Sequence, residues 1–463
     1  MIENHEDQET TRGTNRPEAV RPKKDDPWID EFLCALPGAL LAVVDDVIAR
    51  VSEVEQRDRR RKDDVERRYR LLVEVVVANL AKSYLTHRKP KPIVVCRDHK
   101  EPLTIYNNHD LLRRTLGKTL DILQSAGLLI QTEGSSTKGL RSTMRIAPSL
   151  VQLVEDHGVD LSCFGRLDGE PLLIVSTKLD RGYHQEPKSK LRDYEPTPET
   201  EALSDQVARI NDHLVKADIQ FLPDGFGPVN TLDRRLTRRF KLLPRQELRF
   251  DQVGRLYGGF WMNLKKYRRG NIRIDGEPIA DLDFVSLHPR LAYRGLGLEW
   301  PDGDLYDLTG YLDGYRRGNP DHRDAVKQGL CSILNGGRGG AAPGQPSHLD
   351  DLPRGTTAKK LREALCQKHP GLVSIIEPKE RSKEILGYSL MFTESRILLS
   401  TLEQLMTLNV VALPSHDGLF VAQSNARLAQ EVMEAVSMVL VGIALPVKLK
   451  DILGAPEAIQ KAA

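Results

Sequence analysis

The apolar pattern changes period along the chain. In 29–50 and again in 108–127 apolar residues fall at helical spacing; in the second stretch they are Leu112, Leu116, Leu120 and Leu123. Asn108 is placed to cap that second helix and Gly127 to stop it. Short strand patterns follow at 128–132 and 142–147, joined by the polar loop EGSSTKGLR, and a further helix opens near Ser149. The run 52–70 is almost all charge and reads as an exposed helix with i,i+4 pairs. Residues 183–200 carry three prolines among polar residues and read as a linker. A helix over TEALSDQVARINDHLVKADI then opens an alternation of strands and helices that runs to about 452, an α/β (α+β) pattern.

Helix, hairpin and helix over 108–160 is the order of a winged helix-turn-helix, which sets one helix in a nucleic-acid groove and basic wing residues on phosphate. That order makes Arg113, Arg114 and Lys118 on the helix, with Lys138 and Arg141 in the wing, the expected contacts. A small helix–hairpin domain that touches protein is the plain alternative.

Composition narrows the picture. The chain has 463 residues, 40% apolar and 29% charged, enough for two or three domains. The stretch FLCALPGALLAVV (32–44) is interrupted by Pro37 and lacks a basic leader, so neither a signal peptide nor a membrane anchor is expected. Five cysteines without a CxxC pair fit a reducing, cytoplasmic compartment, with no zinc site and no disulfide framework. Residues 1–27 are polar and expected to be disordered. Net charge is only +2, yet thirteen Lys or Arg lie from Arg234 to Arg273, against the acids Glu247, Asp251 and, just beyond, Asp275. Such a cluster is either a phosphate-binding stripe or a solvated surface.

Candidate chemistry sits in four stretches of the C-terminal half. In DQVGRLYGG (251–259), Gly254, Gly258 and Gly259 permit close backbone approach to a bulky partner, and Arg255 offers a bidentate fork. In ADLDFVSLHPRLAY (280–293), Asp281 and Asp283 lie in an apolar strand, where carboxylates need compensation. Asp283 and the backbone carbonyl of Phe284 make a half-site for a hard cation such as Mg2+. In HRDAVKQGLCSILNGG (322–337), Arg323, Lys327, Cys331 and Asn335 share one helix face, two cations on it suiting a triphosphate. In VVALPSHDGLFVAQ (410–423), two strands meet at a turn carrying His416, Asp417 and Gly418, and Asp417 is placed to face Asp283 across a sheet. Two carboxylates from separate strands with a basic helix between them fit two-metal phosphoryl transfer.

The order of these stretches resembles the palm and fingers of family A DNA polymerases and of the related single-subunit RNA polymerases of phages and mitochondria. Asp283 matches the motif A aspartate and Arg290 an arginine seven residues on. Arg323 and Lys327 match the R-x-x-x-K of motif B, and His416 and Asp417 the His-Asp of motif C. Asp251, Gly254, Arg255 and Tyr257 resemble the hybrid-contacting D-x-x-G-R-x-Y of the RNA polymerases. The likeness covers roughly 230–452. It departs at His288, where the DNA enzymes carry a glutamate gate against ribose, at Asn335 in place of the motif B tyrosine, and at Gly418 in place of Glu or Ser. DFVSLHP also resembles a family B motif, without the matching D-T-D.

The resemblance implies an antiparallel palm sheet with fingers over 251–452, preceded by a thumb-like helical, basic segment (201–250), a strand and linker (161–200) and a mostly helical winged-helix region (28–160), with a tail at 453–463. It implies a template-directed nucleotidyltransferase that extends a DNA primer-template with nucleoside triphosphates and uses two Mg2+ ions, Mn2+ being a substitute. Asp283 and Asp417, with Phe284, would hold the metals. Arg323 and Lys327 would meet the triphosphate, and His288 and Asn335 would border the sugar. Arg255, Tyr257, Arg290 and His416 would touch nucleic acid. Asp281 either assists the metal or sits at a polar edge. An RNA polymerase or primase, and a DNA-binding replication initiator with an inactive palm, are the rival expectations.

Overall fold

The computed structural model describes residues 26–55, 59–87, 89–97, 104–111, 113–134, 140–178, 189–340, 347–378 and 385–454. The expectations for 1–25, Leu112 and Lys138 lie outside the described residues. The chain is mixed α and β, with 46% helix and 18% strand in several small sheets. No helix among the described residues is long and apolar enough to cross a membrane. Two compact units divide at Glu170 and Pro171.

The first unit is built on two helices, Ala39–Glu55 and Asp63–Thr86, whose valines and leucines (Val43, Val47, Leu72, Val76) are wholly buried. The first helix begins ten residues later than the apolar period implies. Leu33–Ala35 is a strand, and Pro37 with Gly38, at φ +132°, turns the chain into the helix. The second begins at Asp63, with Asp63, Asp64 and Glu66 in its first turn where the helix dipole favours acids.

A three-stranded antiparallel sheet follows in the spatial order Ile93–Val95, Ser142–Ile146, Leu129–Thr132. The intervening helix is Leu116–Ser125, shorter than 108–127. Asn108 does not cap it: its Oδ1 accepts the N–H of Asp110 and closes an earlier turn. Gly127 does stop it, at φ +71°, with Leu128 N–H returning to the Leu123 carbonyl. Helix Pro148–Asp156 closes the series.

The second unit begins before the stretch that reads as a linker. Strand Leu173–Lys178 pairs in parallel with Leu236–Leu242, and Ser189–Leu191, inside the proline-bearing stretch, adds an antiparallel edge strand. All three residues of that edge are exposed, which is why its composition reads as loop. Helix Pro198–Lys216 carries a reciprocal Thr197–Thr200 cap, and the remainder of 201–250 is strand and loop rather than helical. The basic run is not one surface stripe. Arg234 and Arg238 are buried; Arg234 donates to the carbonyls of Leu214, Ala217 and Ile219, and Arg238 to that of Gly254.

Strand Ile279–Phe284 is central to a second four-stranded antiparallel sheet, in the order Ala412–Ser415, Gly418–Ala422, Ile279–Phe284, Val447–Leu453. Helix Leu386–Thr407 lies between the first and second of these strands in sequence, and helix Ala426–Val441 between the third and fourth. The result is a split β-α-β-β-α-β arrangement with a long insertion. Ala280, Leu282, Leu419 and Val421 alternate onto one face and are completely sealed, and the two helices pack on the sheet and on each other. The opposite face carries Asp281 and Asp283.

Trp261 ties the two sheets together. Its ring is fully buried and its Nε1–H donates to the Pro414 carbonyl at 2.9 Å. Gly259, just ahead of it, sits at φ +67° and ψ 139°, and a Cβ there would stand 2.5 Å from the Trp261 ring. Gly259→Ala therefore combines a backbone conformation reserved for glycine with a clash in the core. It should cost about 2–4 kcal/mol in a urea unfolding titration; an unchanged midpoint would contradict this packing.

Candidate active site

Asp283 is the last acid on its strand and lies opposite Gly418, so the turn residue Asp417 stands one step beyond it at the hairpin tip. A Cβ on residue 418 would come within 2.2 Å of the Leu282 carbonyl and 3.1 Å of Asp283 Oδ1. The Glu or Ser that the resembled families place here has no room, which gives the glycine a packing reason. His416, at φ +56°, makes the tight turn.

The Asp283 side chain is 9% exposed. Lys450 Nζ contacts its Oδ2 at 2.5 Å, while its Oδ1 is buried without a hydrogen-bond partner. Burial, then the negative charges of Asp417 and Asp281, push the carboxyl up to about 6 even against Lys450. Asp281 is likewise raised by burial, moderated by Lys450, Arg269 and Lys266. For Lys450, burial works against its charge, but the hydrogen bond to Asp283 and the surrounding carboxylates prevail and hold its proton more firmly than usual. With Arg269 and Lys266 acting on Asp281, Lys450 is the cation bonded to Asp283, and the charges of Asp417 and Asp281 leave an excess of negative charge at that carboxyl.

That excess, and the orphaned Oδ1, fit a hard divalent cation. Among the described residues no three His, Cys, Asp or Glu side chains converge as a metal-ligand set. A cation here would rest on Asp283, Asp417 and a main-chain oxygen such as that of Phe284, and complete its shell with water and substrate phosphate, an arrangement Mg2+ accepts.

A second buried carboxylate lies alongside and is fully satisfied. Glu394, on helix Leu386–Thr407, is 1% exposed and accepts Arg255 Nε and Nη2 at 2.6 Å each and His288 Nε2 at 2.6 Å. Burial alone would raise its pKa; the hydrogen bond from His288 and the charge of Arg255 outweigh it and hold the carboxyl below its ordinary value. Because the carboxylate only accepts, His288 Nε2 carries the hydrogen and its Nδ1 is left for another partner. Gly254, at φ +58°, lets the strand press on this helix: a Cβ would lie 2.9 Å from the Phe392 ring. The bulky partner that Gly254 accommodates is thus the chain's own helix, while Gly258 lies against the Arg235 carbonyl and Gly259 against the Trp261 ring.

The remaining expected residues divide. His416 packs edge-on to Tyr257 at 6.1 Å, and burial, followed by the charge of Arg255, lowers its pKa and favours a neutral ring. Tyr257 also lies under the guanidinium of Arg239. Helix Pro320–Leu334 turns toward the carboxylates: the Cys331 thiol, raised chiefly by burial, also feels the charges of Lys327, Asp417 and Arg255. Lys327 is exposed and has no ion-pair partner among the described residues. Arg323 instead grips Asp304, at 2.5 and 3.2 Å, over the Tyr306 ring. Asn335 ends the helix, donates to the Cys331 carbonyl and lies against Gly387, where a Cβ would stand 2.4 Å from its Oδ1.

Arg290 is anchored through its Nε. It is buried, donates to the Val285 carbonyl and lies 4.6 Å from the Trp300 ring. Arg255 is committed to Glu394, which leaves a positioning role more natural than direct phosphate contact. Arg113, Arg114 and Lys118 belong to the other unit; Arg114 and Lys118 are exposed there, and Arg113 opens the short turn Arg113–Thr115. Arg141 lies against the Trp28 ring.

Glu394 and Lys450 were not singled out from sequence. Glu394 was legible as a carboxylate between Leu390 and Leu398 on a buried helix stripe. Lys450, one of two lysines in KLKD, carried no distinguishing signal. No family model matches the sequence, and no curated protein matches it. The functional reading therefore stands on these residues.

Two outcomes are expected. A carboxyl whose pKa is raised in the folded state favours the fold at pH below its unfolded value near 3.9 and loses that contribution as pH rises through about 6. In EDTA, Asp283→Asn should therefore gain stability relative to the wild type between pH 4 and pH 7, by at most about 3 kcal/mol. A pH-independent difference would contradict the buried, uncompensated carboxyl. Glu394→Ala, which strands a buried Arg255, should cost about 3–5 kcal/mol by chemical denaturation, and a loss under 1 kcal/mol (about one exposed pair) would refute the hub.

Proposed function

We propose that the second unit is the palm and fingers of a template-directed nucleotidyltransferase that extends a primer on a DNA template. The observation that carries this reading is the shortfall of positive charge at Asp283. A carboxylate buried with one oxygen unpartnered, next to Asp417 at a hairpin tip, is what a cation-dependent phosphoryl-transfer site requires. The split β-α-β-β-α-β sheet that presents both aspartates, and the helix bearing Lys327 whose Cys331 thiol feels the charge of Asp417, support it.

Magnesium, when bound, supplies charge neutralisation and a more acidic primer hydroxyl. The chain's own residues provide the rest. Lys327 attracts the triphosphate, and Arg323, fixed by Asp304, sets the start of that helix. Glu394 holds Arg255 and His288 so that the wall beside the carboxylates is rigid before substrate arrives. The primer 3′-oxygen attacks the α-phosphorus, the bond to the bridging oxygen breaks, pyrophosphate departs and the hydroxyl proton passes to solvent.

The first unit is read as a winged-helix module for duplex nucleic acid. Its three-stranded sheet has the strand order such a module needs, and Arg114 and Lys118 lie exposed at the start of the helix that would enter a groove. Binding through such contacts weakens as salt rises.

Extension of a labelled primer on DNA or RNA templates, with Mg2+ or Mn2+ and with dNTPs or NTPs supplied separately, tests the reading. The wild type should extend, and Asp283→Asn and Asp417→Asn should each lower the rate by at least about a thousandfold, the loss of a metal-bearing group rather than of a minor contact. Lys327→Ala should raise KM for the nucleotide more than it lowers kcat. Preference for NTPs would assign an RNA polymerase or primase. Template binding without product from either set would assign an initiator.

A further inference from the structure

An aromatic pair on the second unit has no role in the chemistry above. Phe226 and Tyr267 are 64% and 67% exposed, yet their rings contact each other edge-on at 5.3 Å between centroids. Two large rings in mutual contact on the surface make a small contiguous apolar patch.

The backbone that carries the rings is fixed. Phe226 tops the loop LPDGFGP, where Gly225 and Gly227 take φ of +75° and +110°. Asp224 Oδ1 accepts the Phe226 N–H at 3.0 Å. Arg268 then clamps that loop to the turn bearing Tyr267, donating to both Asp224 oxygens at 2.6 and 2.9 Å and to the Gly227 carbonyl at 2.8 Å. The ion pair is shielded, with side chains 13% and 7% exposed, so it holds the loop against the turn.

The surroundings are basic and lead to the carboxylates. Lys265 and Lys266, immediately before Tyr267, are exposed. Arg269, immediately after Arg268, lies 5.6 Å from the Phe420 ring, and Phe420 is the cross-strand partner of Asp281. Lys266 and Arg269 both act on the Asp281 carboxyl. The turn Lys266–Asn271 therefore stands at the rim of the carboxylate face of the sheet.

We infer that Phe226 and Tyr267 form a stacking platform for unpaired bases of a nucleic-acid strand that runs past the active carboxylates, with Lys265 and Lys266 meeting its phosphates. The inference rests on the nucleotidyltransferase reading for the purpose of the strand, but the platform is defined by its own residues. Flat aromatic faces beside cations match a single strand, whose bases offer π-faces and whose backbone offers charge. An apolar protein partner would gain nothing from the lysines.

Fluorescence anisotropy separates the two contributions. The full chain is titrated, without divalent cation, with a labelled oligo-dT strand of about 12 nucleotides, a length within the range such sites cover. An abasic strand with the same number of phosphates is titrated alongside, so that every purely electrostatic contact cancels. The wild type should bind oligo-dT about tenfold or more tightly than the abasic strand. Phe226→Ala with Tyr267→Ala should abolish that preference while leaving abasic-strand affinity unchanged; Phe226→Trp with Tyr267→Phe should keep it. Both positions are exposed, so folding is not at stake. Equal binding of the two strands by the wild type, or a preference that survives in the double alanine variant, would overturn the platform. Asp283→Asn should retain the base preference. A wild type that shows the preference but extends no primer would sink the catalytic reading and leave the platform standing; extension without any base preference would do the reverse.

Discussion

A carboxylate withdrawn from water has to find positive charge or surrender its ionisation, and the second unit contains both solutions a few residues' reach apart. Glu394 is almost completely buried and remains ionised, because Arg255 grips both its oxygens and His288 adds a third hydrogen bond. Asp283 is buried with one lysine for company and two further carboxylates nearby, and its proton affinity rises accordingly. The first arrangement is complete and serves rigidity. The second is incomplete in a specific way, since Lys450 bonds one oxygen of Asp283 and the other is buried without a partner. An interior that satisfies one acid so thoroughly leaves the other with a raised proton affinity, and the proposed cation site rests on that contrast.

The neighbouring architecture makes sense from that constraint. The sheet has to bring two acids from separate strands to one edge, and the glycine at 418 is the residue that lets them close up. Trp261 fixes the hairpin carrying Asp417 by holding the Pro414 carbonyl. Gly254 lets strand Arg255–Gly258 lie tightly on helix Leu386–Thr407, which is what brings Arg255 within reach of Glu394. Small residues at these contacts thus set the positions of charged ones.

Much of this was legible in the sequence where local chemistry and periodicity agreed. The strand bearing Asp281 and Asp283, the helix Pro320–Leu334 and the hairpin around Asp417 all lie where the pattern puts them. Reading failed where tertiary partners decided. An exposed edge strand, Ser189–Leu191, has the composition of a linker. A run of thirteen cations looked like one surface, but Arg234 caps carbonyls at a helix end and Arg238 is sealed among aromatic rings. Arginine is compatible with surface, core and ligand alike, and its surroundings, not its spacing, choose among them. The same holds for Glu394, whose significance lies in two residues more than a hundred positions away in the chain.

The irregularity in the last strand has a further consequence. Opposite Asp281 and Leu282 the pairing of Val447–Leu453 skips a register, so that Asp451 and Leu449 face consecutive residues and Lys450 is left over between them. A regular strand would turn alternate side chains to opposite faces and keep them there. The extra residue is what allows Lys450 to reach the acids from a strand whose neighbouring positions are otherwise committed. The protein thereby carries a tethered counter-ion of its own. A lysine in that position limits the repulsion among the acids gathered on this face of the sheet.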